Sequence, residues 1–190
     1  MNVRLCSVAL IVVAAACAGI GMAIAQGAPS NISSEVNIRS DSAPGWVPSE
    51  NQRRDVMSLA SRYFSILDKG QYDSAYAMMA EVNRRSVPFQ QFVRQNEEFR
   101  SRSGPLRQRS ILKVTWTKDP SSAPLRGTYA AIDIASQYSS VDRHCGFVVL
   151  YQKSPGDSFE VMRQENNFID NVTAEKIEQQ KSRAELDKLW

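Results

Sequence analysis

The spacing of apolar residues changes once along the chain, at Gly104 and Pro105, and this change limits the possible folds more than any other feature. Before it, apolar residues recur three or four positions apart, as on one face of an amphipathic helix. After it, they alternate with polar residues, as in a strand with one buried face. A chain whose helices precede its strands is predicted to be an α+β domain with an antiparallel sheet.

Three helices are predicted before Gly104. Ser49 and Gln52 form a capping-box pattern at the start of the first helix, and Gly70 ends it. Pro88 lies in the first turn of the third helix, where its missing amide proton costs no hydrogen bond. The aromatic and methionine residues recur at helical spacing, which is typical of core positions rather than of a cofactor site. The predicted ranges are residues 49–70, 72–79 and 86–104.

Four strands are predicted after Pro105, and they form a curved antiparallel sheet that the three helices cover on one face. In the first strand we expect Leu112, Val114 and Trp116 on the buried face and Lys113 on the polar face. Loops and turns containing proline or glycine separate several of these strands. The predicted strands are Ile111–Thr117, Thr128–Tyr138, Cys145–Gln152 and Phe159–Phe168.

Residues 1–25 have the form of a secretory signal peptide. Arg4 precedes a long apolar run, which ends in the small residues that signal peptidase accepts. We therefore expect a periplasmic or secreted protein that is cleaved after Ala25. Two alternatives stay open. The uncharged run Leu5–Ala25 is long enough to anchor the chain in a membrane, and Cys17 is a candidate for lipidation.

Two further segments are predicted to flank the α+β domain, which we place at residues 49–170. Residues 26–48, rich in proline, glycine and serine, are predicted to be a linker. Residues 171–190 are dense in charged residues, and apolar positions such as Leu186 and Leu189 are sparse. We therefore expect a mostly solvated helix there, with binding of a partner as the alternative role.

Cysteine and histidine are scarce, and this limits the chemistry. Cys145 is the only cysteine that remains after cleavage, and His144 is the only histidine. Adjacent strand residues point to opposite faces, so these two side chains cannot pair as nucleophile and base. We interpret Cys145 as a buried thiol, with an intermolecular disulfide or a reactive group as alternatives. The sequence has neither metal-ligand spacing nor a glycine-rich phosphate loop, so no metal, cofactor or catalytic residue is predicted.

The net charge of +3 is low, but basic residues concentrate in the middle of the chain. Between Arg84 and Lys113 there are eight basic and two acidic residues. Arg107, Arg109 and Lys113 alternate onto the polar face of the first strand, which predicts a small anion-binding stripe. A solvated face with ion pairs within the helices is the alternative. Nucleic acid is not expected to bind an exported protein.

Four motifs between residues 53 and 170 resemble those of one family. The first contains the spacing Leu-Asp-x-Gly-x-Tyr after an aromatic pair. The motifs lie at Tyr63–Tyr76, Arg102–Arg109, Gly127–Tyr129 and Phe159–Ile169. Together they resemble the DUF4019 proteins, which are exported bacterial proteins of unknown function. The segment Arg163–Asn167 departs from that family, many of whose members have a shorter end that contains Gly-Tyr.

The resemblance implies a cone similar to the NTF2-like and cystatin-like folds, in which helices close one mouth of a bent sheet. Such cones hold small ligands, dimerise through the sheet or serve as periplasmic assembly modules. An isomerase in such a cone needs a carboxylate base and an acid donor, for which Asp133, Tyr129, Tyr138 and His144 are the candidates. We expect Asp133 to point outward to solvent, because it alternates with the core positions.

We therefore expect a non-catalytic binding or protein-interaction module of the bacterial envelope, whose partner is a small ligand or an unidentified protein. One alternative is a membrane-anchored periplasmic assembly subunit of a secretion or envelope complex. The other is a small-molecule isomerase or hydrolase that uses the cavity of the cone. We also expect a homodimer through the sheet, and membrane contact only with an uncleaved amino terminus or a lipidated Cys17. The candidate binding residues are Arg102, Arg107, Arg109, Lys113, Tyr129, Asp133 and His144.

Overall fold

The structure is a computed structural model that describes residues 36–188. The predicted signal peptide, the linker up to residue 35 and Leu189 lie outside these residues. Within the described range, a short strand precedes four helices, four long strands follow, and two helices end the chain. The helices are α1 Glu50–Asp68, α2 Tyr72–Ala77, α3 Glu81–Ser86, α4 Phe89–Ser103, α5 Asn171–Gln180 and α6 Arg183–Lys188. The strands are β1 Asn37–Ile38, β2 Leu106–Lys118, β3 Thr128–Tyr138, β4 Val141–Gln152 and β5 Glu160–Asp170.

The five strands form one mixed sheet in the order β1-β2-β3-β4-β5. Strands β2 to β5 pair antiparallel with their neighbours, as predicted for an α+β domain. The prediction of four strands missed β1, which pairs parallel to β2 and lies in the predicted linker. A strand of two residues is too short to show alternation in the sequence. Trp46, also in that segment, packs on Trp116 with ring centroids 6.5 Å apart.

The predicted first helix is confirmed, and the third begins later than predicted. Ser49 and Gln52 form both hydrogen bonds of the capping box at the start of α1. Gly70 follows the helix with a φ of 70°, a conformation that favours glycine. Ser86 ends α3 instead of starting the next helix, because Pro88 holds Val87 in an extended conformation. The prediction missed α3, which buries no residue and therefore shows no apolar period.

One face of the sheet, here called the inner face, packs against α1, α2 and α4. It carries Trp116, Ile132, Leu150 and Val161, each at most 3% exposed. The helices contribute a buried apolar set to the same core, namely Val56, Ala60, Tyr63, Phe64, Ala75 and Phe92, and Met79 joins it from the segment after α2. Burial of this apolar surface is the main source of the free energy of folding.

Helices α5 and α6 lie against the opposite, outer face of the sheet. Arg143 on β4 donates to the carbonyl of Leu186 at 3.2 Å and forms an ion pair with Asp187 at 3.1 Å. Most residues of α5 and α6 are exposed, as predicted for a mostly solvated segment, but Leu186 is fully buried. The single helix predicted over residues 171–190 is wrong, because the segment forms two helices within the described residues. The chain instead breaks at Lys181, and this break lets the second helix fold back on the sheet. No helix within residues 36–188 is both long and apolar enough to cross a membrane.

Two irregularities in pairing decide which residues face inward. In β2 the register shifts between Ile111 and Lys113, and in β5 Met162 is an extra residue opposite the Val149–Leu150 step. A bulge reverses the alternation beyond it. Ile111 therefore packs on the core while Leu112 is 51% exposed, which contradicts the predicted burial of Leu112.

Candidate functional site

The inner face of the sheet has an apolar stretch that becomes polar toward one end; on the other side of this stretch the buried Thr128 and Gln152 are also polar. The register places Trp116, Ala130, Leu150 and Val161 side by side, and this row is wholly apolar. We define the apolar end by the buried residues Trp116, Ala130, Ile132, Leu150 and Val161. Farther along the same strands the inward side chains become polar. We define the polar end by Arg109, Ser136, Tyr138, His144, Gln164 and Asn166.

Two clefts open beside the polar end, one on each side of α4. The β5 cleft has a volume of about 670 Å³ and lies between α4 and β5. The Arg109 cleft, about 470 Å³, lies between α4, the end of α1 and the start of β2. Both clefts are lined by Asn96 and Phe99 of α4 and by Gln164 and Asn166 of β5. We call Gln164 and Asn166 the amide pair, and its two side chains are common to both clefts.

Gln164 is held by a hydroxyl group from the helical layer. The Tyr63 hydroxyl donates to Gln164 Oε1 at 2.6 Å. Tyr63 is fully buried, and this burial raises the pKa of its phenol, so the hydroxyl keeps its proton. Because the oxygen of Gln164 is occupied by this donor, the NH₂ group is the part of the amide left for the clefts.

Asn166 is held in a similar way by the only histidine. His144 Nε2 lies 3.2 Å from Asn166 Oδ1, and an amide oxygen only accepts, so Nε2 carries the imidazole proton. The ring is 4% exposed and packs against Phe99 and Tyr138. Burial lowers the pKa of His144 to about 4, and the imidazole is therefore neutral at pH 7. Its Nδ1 has no hydrogen-bond partner within the described chain apart from a weak contact with its own main chain.

Gly146 makes room for Asn166 on the neighbouring strand. The two residues are register partners, and a Cβ at Gly146 would lie 3.0 Å from Asn166 Oδ1. It would also lie 2.5 Å from the carbonyl oxygen of Glu165, which is too close for any side chain. The Asn166 amide can therefore lie over β4 only because residue 146 is a glycine.

Arg109 closes the other side of the polar end. Its guanidinium group donates to both carboxylate oxygens of Asp68, at 2.7 and 3.0 Å, and to the Tyr138 hydroxyl at 3.0 Å. Its Nε donates to Ser136 at 3.2 Å, and the group stacks 4.6 Å from the centroid of the Phe64 ring. A bidentate pair with this stacking fixes the arginine in one orientation.

The predicted basic stripe of Arg107, Arg109 and Lys113 does not form. Arg107 and Lys113 are exposed, whereas Arg109 turns to the inner face. The register shifts in β2, one at each end of this segment, break the regular alternation on which that prediction depended. Arg102 lies at the rim of the β5 cleft, 4.7 Å from the centroid of the Phe168 ring, and pairs with Asp170 at 3.2 Å.

The two other predicted site residues lie on the outer face of the sheet. Tyr129 packs on Tyr151 with ring centroids 5.0 Å apart, and its hydroxyl donates to the carbonyl of Leu125. Asp133 lies between the inward Ile132 and Ile134, so it points outward as expected. Neither residue reaches the clefts. Of the seven predicted binding residues, the structure therefore gathers Arg102, Arg109 and His144 around them.

The buried thiol of Cys145 lies on the opposite face of β4 from His144. The two neighbours therefore do not form a nucleophile and base. Within residues 36–188, no three histidine, cysteine or acidic side chains come together in a way that could hold a metal ion.

Sequence reasoning missed the residues that define the clefts, above all the amide pair, Tyr63 and Asn96. The available signal was weak, since Gln164 and Asn166 stand in a strand beside charged neighbours that look equally able to face inward. The bulge at Met162 decides between the two sets, and alternation in the sequence does not show it.

The fold and the clefts define an α+β protein with two clefts whose shared lining includes side-chain amides. A family model described as "Protein of unknown function (DUF4019)" matches residues 59–162, and the chain belongs to this family. Neither the curated proteins nor the solved structures compared with the chain give a match. The matched range includes Tyr63, Arg109 and His144 and ends just before the amide pair.

Proposed function

We propose that this chain is an exported, non-catalytic binding module of the bacterial envelope that holds a small molecule in the clefts beside α4. The observation that carries the proposal is the amide pair, which lines both clefts with its oxygens already bonded to Tyr63 and His144. Polar groups converging on a cavity with aromatic walls are typical of ligand sites.

The state of the ionisable groups supports binding rather than turnover. The charge of Arg109 is paired with Asp68, and His144 is neutral and packed behind Phe99. Asp133, the candidate carboxylate base, is on the opposite face of the sheet from His144. An isomerase or hydrolase would need its acid and base to reach one ligand from the same cavity.

The proposed fold type is the NTF2-like or cystatin-like cone. Its support is the order of the elements, with helices first and an antiparallel run of four strands after them, and helices packed on one face. The proposed location, periplasmic or secreted, depends on the signal-peptide pattern of residues 1–25. A membrane-anchored assembly subunit is the competing proposal.

The amino terminus separates these two proposals. The full chain is expressed in a Gram-negative host, and the intact mass is measured in the periplasmic and membrane fractions. We expect a periplasmic chain that begins at Gln26. The variant Ala25→Phe should block cleavage, whereas Ala28→Phe, three residues later, should not. A wild-type chain that retains Met1 in the membrane fraction would favour the anchored subunit.

Ligand binding in the clefts has its own test. Asn96 lines both clefts and Arg94, also on α4, is exposed and lines neither. Mixtures of neutral, anionic and cationic fragments are screened by ligand-observed NMR. We expect binders whose signals are lost in Asn96→Trp, which fills the clefts, and are retained in Arg94→Trp. Equal binding by the two variants would contradict a site in the clefts.

A further inference from the structure

We propose that the clefts select a small apolar molecule that carries a carboxylate, whose oxygens accept hydrogen bonds from the NH₂ groups of Gln164 and Asn166. This inference rests on the proposed function, because it names the class of ligand for the same site. It follows from the orientation of the two amides and from the aromatic walls.

The orientation of the amide pair makes this part of the site a donor surface. Gln164 Oε1 accepts from Tyr63 and Asn166 Oδ1 accepts from His144 Nε2. Neither amide nitrogen has a hydrogen-bond partner among residues 36–188, and neither is sealed off from the clefts. Each NH₂ group offers two N–H donors, whereas each oxygen already accepts one hydrogen bond, so the unoccupied groups of the pair are mainly donors.

Asn96 faces the amide pair from α4. Its Nδ2 donates to the carbonyl of Phe92 at 2.8 Å, and its Oδ1 is therefore left as an acceptor. The two NH₂ groups of the amide pair still offer more hydrogen-bond donors than Asn96 offers acceptors. A ligand oxygen that only accepts can be met by both NH₂ groups, whereas an ammonium group, which only donates, finds an amide oxygen without a hydrogen-bond donor only at Asn96 among these three side chains.

The charges at the rims are largely balanced. Arg102 pairs with Asp170, and Arg109 pairs with Asp68. The Arg163 guanidinium pairs with Glu165 and lies over the Phe147 ring on the outer face. The preference for an anion therefore comes from the donors of the amide pair and not from the rim charges.

Aromatic rings supply the surface for the apolar part of the ligand. Phe99 stands between the clefts, Phe92 and Phe168 line the β5 cleft, and Phe64 lines the Arg109 cleft. A carboxylate held by the amides would place its apolar body against these rings. Charge-assisted hydrogen bonds to a carboxylate are about twice as strong as those to a neutral carbonyl. The predicted order of affinity is thus carboxylate, then carboxamide, then amine.

The test compares three probes of one shape: benzoate, benzamide and benzylamine. Affinities for the purified protein are measured by protein-observed NMR titration at pH 7. We expect benzoate to bind at least about tenfold more tightly than benzylamine, a ratio that corresponds to roughly one charge-assisted hydrogen bond. Benzamide should lie between them.

Two variants replace the donor NH₂ groups with acceptors and keep the oxygens that Tyr63 and His144 bind. Gln164→Glu and Asn166→Asp keep an oxygen for Tyr63 and His144 but replace the NH₂ group with a second oxygen. Each should weaken benzoate by about tenfold or more. Asn167→Asp is the matched control, since it introduces the same charge at the next residue, which is exposed and points to the outer face. It should change benzoate affinity by less than about twofold.

The outcomes separate this inference from the function on which it rests. If benzylamine binds as tightly as benzoate, or if Asn166→Asp weakens benzoate no more than Asn167→Asp does, the preference for a carboxylate is wrong while binding in the clefts stands. If neither these probes nor the fragment mixtures bind in a way that Asn96→Trp abolishes, the proposed function itself fails. The comparison of benzoate with benzylamine on the wild-type protein decides the matter even if a variant does not fold.

Discussion

The two ends of the inner face of the sheet differ in what their side chains do, although the same four strands carry both. At the apolar end, Ile132 and Leu150 are fully buried and pack against α1 and α2. At the polar end, Arg109, His144 and the amide pair lie beside clefts, and each is held by a specific partner. The apolar end carries the fully buried core residues, and the polar end is the binding site that we propose.

The buried polar side chains of the polar end lower stability, and a feature that lowers stability suggests a role in function. Burying an uncharged imidazole or an amide without full hydrogen bonding lowers stability relative to an apolar side chain of the same size. His144 is 4% exposed and its Nδ1 lacks a partner in the described part of the chain beyond its own main chain. Apolar side chains at the inward positions of the polar end would avoid this cost.

The largest expected effect comes from truncating a buried side chain of the apolar end. Ile132→Ala should lower the free energy of unfolding by about 2–5 kcal/mol, because Ile132 is fully buried and its removal leaves a cavity. Urea denaturation at pH 7 measures this loss. Ile38→Ala is the control, since Ile38 is 36% exposed, and it should cost about 1 kcal/mol or less. Equal losses in the two variants would contradict the assignment of stability to the apolar end.

The second prediction concerns pH and the polar end. The pKa of His144 is about 4 in the folded chain, below the usual value of 6.5 for histidine. The unfolded chain therefore binds the proton first, and stability should fall as the pH falls from about 6.5 to 4. This shift corresponds to about 3 kcal/mol. This pH dependence of stability should be absent from His144→Phe. It can be assigned to His144 because the chain has no second histidine.

Urea denaturation of the wild type and of His144→Phe between pH 4 and 8 measures this dependence. The carboxylates titrate in both proteins, so the difference between the two curves isolates His144. Parallel curves would mean that the imidazole is not held neutral in the folded chain.

The smallest of the three effects comes from the ion pair at the polar end. Asp68→Asn should cost about 1–2 kcal/mol, because the side chain of Arg109 is 15% exposed and its charge would lose its carboxylate partner. Asp55→Asn is the control on the exposed side of α1 and should cost less than about 0.5 kcal/mol. An Asp68→Asn variant as stable as this control would show that the pair does not hold Arg109 in place.

Regular elements were predictable because their signal is local. The prediction of β3 has the bounds that the structure gives, since its alternation is uninterrupted from Thr128 to Tyr138. The capping box at Ser49 also depends only on neighbouring residues, and it is present. The missed element β1 has only two residues, and its position is decided by pairing with β2, which is distant in sequence.

The polar end was predictable only in part. His144 was a candidate from its place on a strand expected to line the cone and Arg109 from its charge, and both lie beside the clefts. The amide pair was not, because the extra residue Met162 determines which side of β5 turns inward. A bulge is a property of two paired strands, so one strand read alone does not reveal it. The same reason explains the exposed Leu112 in β2.

Side-chain amide signals test the central claim, that the polar end of the inner face is the binding site, most directly. The NH₂ resonances of Gln164 and Asn166 are followed in ¹H–¹⁵N spectra as benzoate is added to the wild-type protein. The account predicts that these two signals shift with saturation while the amide signals of Lys113 and Tyr129 stay in place. Saturable shifts confined to Lys113, Tyr129 and their neighbours on the outer face would contradict it.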